Sequence, residues 1–167
     1  MGVKRTILRR PNEPEGDLLH YPDCGMDNIY LANGWRWEET PIGRFLHIKD
    51  DRNLFAALAR HIVEQPHKPS GKELRYLRIY LNLSQADLGQ LLGLSDQQVA
   101  RWEKETSAIE PAVLRLFSLL VRERIGEKVT VEADLKAAAD NVKTARKRRA
   151  HRVVAFRRSG WKTKEAA

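Results

Sequence analysis

Residues 84–105 read SQADLGQLLGLSDQQVARWEKE, two short segments that each begin at a serine and meet at Gly93. A serine hydroxyl accepts a hydrogen bond from an otherwise unpaired amide of the first helical turn, so Ser84 and Ser95 mark two helix starts. Gly93 supplies the positive φ of a tight turn between them. Asp87 sits favourably in the first turn of one helix, and Gln98 holds the reciprocal capping-box position of the other. Leu88, Leu91 and Leu92 form an apolar stripe on the first helix. Helices this short are not stable alone in water and must share a core with neighbours. The flanks offer one. Ser70 and Glu73 fit a capping box opening GKELRYLRIYLN, with Leu74, Leu77 and Leu81 inward. Pro111 suits the first turn of PAVLRLFSLLVRE, where Val113, Leu114, Phe117, Leu120 and Val121 are core candidates.

The helix after Ser95 divides by chemistry. At about 100° per residue, Asp96, Gln97, Ala100, Arg101 and Lys104 fall within roughly a 140° arc, with Val99 and Trp102 opposite. An apolar foot thus carries a face of long hydrogen-bonding side chains. Two capped helices joined by a glycine turn match the helix-turn-helix signature, whose second helix lies in the DNA major groove. Gln pairs with adenine at two points and Arg with guanine, so Gln97 and Arg101, one turn apart, are the candidate base readers.

The stretch LSQADLGQLLGLSDQQVARWEKE resembles the XRE, or lambda-repressor-like, DNA-binding domain. The resemblance rests on S-Q at the helix start, the small residue Gly89, the turn at Gly93, and V-A-R-W-E-K. Ala is usual at the place of Gly89, where two helices approach closely; Gly weakens the helix by up to about 1 kcal/mol. The resemblance implies that Gln97 and Arg101 occupy base-reading positions, and that Gln85 and Gln98 occupy phosphate-contacting ones. Ser95 supports the helix start, and Lys104 is a further phosphate candidate. Asp96 would be repelled by phosphates unless it accepts from a cytosine amino group or orients Arg101; the preferred reading is that it stabilises the helix N-terminus. From about residue 20 to 125, through YPDCGMDNIYLANG and GKELRYLR, the chain is also similar to regulators related to MqsA-type antitoxins. Some of these carry two CxxC zinc pairs. This chain has only Cys24, so no zinc site is carried over and none of its residues is assigned to a metal or cofactor.

Before this block, IYL (29–31) and WRWEET (35–40) read as two strands around the Asn33–Gly34 turn, with RFLHI (44–48) as a third. Trp35 and Trp37 alternate with Arg36, which suits hairpin packing or a partner surface. Asp51 and Asn53 are helix-start residues, and Leu54, Leu58 and Ile62 have helical spacing. The expected fold is mainly α: a helical helix-turn-helix domain at 70–126, preceded by a small α+β module at 20–66 and followed by a basic tail. Residues 1–19 read as a flexible arm and 127–167 as a basic tail, partly helical or disordered. In that tail, Leu135, Ala138, Ala139 and Val142 suggest a weak helix before KTARKRR.

Net charge is +8, but residues 1–126 are nearly balanced; residues 127–167 hold twelve Lys/Arg against five Asp/Glu. An acidic partner such as double-stranded DNA is favoured. One cysteine excludes an intrachain disulfide, and His20 with Cys24 is too sparse a set for a metal. No apolar run reaches membrane-span length and the amino terminus lacks a secretory core, so a cytoplasmic protein is expected. Scattered Glu, Asp and His residues share no spacing that builds a catalytic site, so no catalytic residues are assigned. The expectation is a dimeric repressor reading a palindrome, with a toxin-type protein as a further partner. The alternative is an interaction module acting through residues 20–66.

Overall fold

The computed structural model describes residues 18–65, 67–128, 130, 152–157 and 159–165. Strand β1 (Leu19–His20) leads through a short 3-10 turn to β2 (Ile29–Leu31), β3 (Trp35–Thr40) and β4 (Gly43–Ile48). Five helices follow: α1 (Asp51–Glu64), α2 (Gly71–Tyr80), α3 (Gln85–Leu92), α4 (Asp96–Glu103) and α5 (Pro111–Ile125). Strands β5 (Arg152–Arg157) and β6 (Gly160–Glu165) close the described chain. The candidate arm through residue 17, the weak helix at 135–142 and KTARKRR lie outside the described residues.

The Asn33–Gly34 turn does not make the expected hairpin. Both flanks of β2 are occupied, by β1 antiparallel and by β5 parallel, so β3 pairs with β4 instead, around Pro41–Ile42. Asn33 serves the sheet in another way: its side-chain oxygen accepts from the amide of Phe156 at 2.5 Å. Gly34 has φ +76° and is crowded by Phe156 and Trp161, within 2.8 Å of where a β-carbon would stand.

The end of the expected tail contains a β-hairpin, β5–β6, which extends β2 into a sheet of order β1-β2-β5-β6. Its anchor is Trp161, 2% exposed. The indole N–H donates to the carbonyls of Lys49 (2.7 Å) and Asp50 (3.1 Å), and the Trp161 amide donates to Asn53 Oδ1 (3.2 Å). The start of α1 thus seats the carboxy-terminal hairpin. The cap of α1 is Asp50, one residue before the expected start, and its carboxylate accepts from the Asn53 amide.

A single apolar cluster runs through the molecule. Ile29, Leu31 and Val154 of the sheet, Leu54, Leu58 and Ile62 of α1, Leu77 of α2, and Phe117 and Val121 of α5 are all at most 2% exposed. Arg60 of α1 donates to Glu127 at 2.7 Å, beyond the end of α5, and the Tyr76 hydroxyl donates to the Phe55 carbonyl at 3.0 Å. Leu91, expected on the inner stripe, is instead 57% exposed, because α3 is held by Leu88 and by its turn into α4.

Candidate nucleic-acid interface

Local chemistry sets α3 and α4 in place. Ser84 and Asp87 form a reciprocal capping box, with Ser84 N donating to Asp87 at 2.8 Å and Asp87 N to Ser84 Oγ at 3.0 Å. Hydrogen bonds from the Ser84 hydroxyl and amide hold the Asp87 carboxyl below its usual range. Gly93 takes φ +70°, and the amide of Leu94 bonds back to the Gly89 carbonyl at 2.8 Å. A β-carbon at Gly89 would stand 2.8 Å from the Leu94 carbonyl oxygen, so the close approach that favours a small residue there is real.

Ser95 caps α4, its hydroxyl accepting from the Gln98 amide at 3.2 Å. The box is not completed as expected: Gln98 turns its side chain to Ser107 Oγ, also 3.2 Å, tying α4 to the loop that follows it. Asp96 accepts from the Gln97 amide at 2.8 Å, an arrangement that favours the helix start. Val99 (1% exposed) and Trp102 (4%) fill the core beneath, which places the Trp102 ring away from any bound base. On the opposite side Gln97, Arg101 and Lys104 are exposed, and among the described residues their side chains make no hydrogen bond or ion pair.

The inner side of α4 carries a polar anchor absent from the sequence reading. Arg78 of α2 reaches Glu103 through two nitrogens, at 2.6 and 3.1 Å, and donates to the Leu83 carbonyl at 2.8 Å. Both side chains are nearly buried, at 12% and 7% exposure. Gln85 donates its side-chain amide to the same carboxylate at 2.8 Å. One of its two side-chain N–H groups is thereby held inside the domain. Just past α4, Glu105 accepts from the Gly71 amide at 2.8 Å and closes the start of α2 against the end of α4. The signal for the first anchor was present as Arg78 and Glu103 on the inward arcs of two helices, but their pairing depends on how α2 crosses α4.

Elsewhere, His20 Nε2 lies 2.8 Å from the Asp27 carbonyl, and the Cys24 thiol donates to the Tyr21 carbonyl at 3.3 Å. Among the described residues, no three His, Cys, Asp or Glu side chains converge on a metal position.

A capped helix pair joined at Gly93, with one long polar face exposed and its opposite side buried, has the geometry of a helix-turn-helix. Residues 74–120 match the helix-turn-helix family model, and this segment is a domain of the XRE type, found in DNA-binding regulators. No curated protein and no solved structure matches the chain. Among the described residues, no helix is long and apolar enough to cross a membrane.

Proposed function

We propose that the protein is a dimeric, sequence-specific transcriptional repressor that binds palindromic operators, with Gln97 and Arg101 reading base edges. Supporting this is the unpaired exposure of Gln97 and Arg101 on α4, opposite the buried Val99 and Trp102. Lys104, Gln98 and the remaining N–H of Gln85 would position the helix on phosphates, with Ser95 and Asp96 fixing the helix start. One such domain contacts few base pairs, so two copies about 34 Å apart give an operator its length. Genome-wide footprinting of wild type beside Arg101→Ala tests the reading. Loss of a bidentate contact should cost about 1–3 kcal/mol and remove site selection, with the fold intact. Equal protection of the same sites by both proteins would sink it.

A second reading has its own support. In it, the module at 20–66 binds a partner protein, of toxin type if the chain acts as an antitoxin. The β3–β4 hairpin displays Trp37 (41% exposed) and Phe45 (49%) on its two opposite faces and Ile42 (87%) in its turn. If Gln97→Ala with Arg101→Ala left the biological effect unchanged, this reading would replace the first.

A further inference from the structure

Between the amino-terminal turn, α1, α2 and the end of α5 lies a cleft of about 810 Å³, within the range of about 300–1,000 Å³ typical of small-molecule sites. Its apolar wall is aromatic: Tyr76 is buried, while Phe55 and Tyr80 are half-buried. The wall is firm, since the Tyr76 hydroxyl is fixed on the Phe55 carbonyl. Around it stand the guanidinium groups of Arg52, Arg75 and Arg124, all on exposed residues. Among the described residues no carboxylate forms an ion pair with any of the three. Lys72, also in the lining, is paired with Asp27, and Asp23 is the one carboxylate on the described wall.

Three unpaired guanidinium groups beside an aromatic surface do not suit a neutral or cationic ligand. A guanidinium presents parallel N–H donors to a carboxylate or phosphate, and its plane stacks on rings. We propose that this cleft binds a small organic anion with a flat apolar body, such as an aromatic carboxylate or sulfonate. The ring lies against Tyr76, Phe55 and Tyr80, and the acid group meets Arg75 and Arg124. This site lies apart from the exposed face of α4 and does not depend on the DNA-binding reading.

Calorimetric titration of the full chain with naphthoate, and separately with naphthylmethylammonium, tests the proposal. Naphthoate should bind at least about tenfold more tightly than the cation, and Arg75→Gln with Arg124→Gln should lose at least about tenfold in naphthoate affinity. Because both arginines are exposed and lack ion pairs, the variant should keep its circular dichroism spectrum. Should it fail to fold, the comparison of the two probes on wild type decides alone. Equal binding of both probes, no binding of naphthoate, or naphthoate binding unchanged in a folded variant would each overturn the assignment.

Discussion

Arg78 holds both carboxylate oxygens of Glu103, at 2.6 and 3.1 Å, directly beneath the helix that carries Gln97 and Arg101. Both partners are largely buried, so solvent screens the pair little. Removing one leaves a charge in a poorly hydrated place. Glu103→Ala or Arg78→Ala should therefore lower stability by about 3–5 kcal/mol. The double replacement Arg78→Ala with Glu103→Ala should cost less than the sum of the single changes, because neither charge is then left alone. Urea unfolding of the four proteins measures the coupling, and strict additivity would refute it.

Gly71→Ala should destabilise, contrary to helix propensity, which favours Ala by up to about 1 kcal/mol. The added carbon would meet the Glu103 carbonyl oxygen at 2.3 Å and would strain the Gly71–Glu105 contact. An overpacking cost of about 1–3 kcal/mol is expected. A rise in melting temperature would contradict it.

Trp161→Ala should loosen the amino-terminal module, although the residue is far away in sequence. The change removes a buried ring and both indole bonds to Lys49 and Asp50, an expected loss of about 3–5 kcal/mol. Hydrogen exchange should quicken at β2 and at the start of α1 together. Protection there that matched wild type would show that the hairpin is dispensable.

Lys104→Ala should weaken DNA binding evenly across sequences and reduce the salt slope by about 1, since a phosphate contact carries no base preference. Titrations on a selected operator and on unrelated DNA at several salt concentrations report both. An unchanged slope would remove Lys104 from the interface.

Alkaline pH should unfold the protein through its buried tyrosines. Burial pushes Tyr21 from 10.0 up to about 12, helped by nearby Cys24, Asp23 and Asp51, and burial raises Tyr76 as well. Raised folded values favour the neutral phenols. Their stabilisation is complete below the ordinary value of 10.0 and is lost as pH climbs through the folded values. Phenolate absorbance should therefore show late titration coincident with loss of helix signal, and Tyr76→Phe should move that loss to higher pH. Smooth titration of all tyrosines near 10.0, with the helices intact, would refute this.

The helix-turn-helix was legible because its determinants act within a few residues. Ser70 with Glu73 forms the capping box its spacing announces, Ser84 caps α3 with Asp87 in the first turn, and Gly93 turns with positive φ. The division of α4 into a buried side at Val99 and Trp102 and an exposed side at Gln97 and Arg101 follows from helical periodicity alone. Where a local signal had a rival partner, tertiary contact won: Gln98 left its capping box for Ser107, and Asn33–Gly34 gave up a hairpin because β2 was already flanked on both sides. The pairing of β5 with β2, the seat of Trp161 under α1 and the Arg78–Glu103 clasp join residues far apart in the chain. No periodicity or cap encodes such meetings, since they exist only once separate elements have packed and excluded water between them.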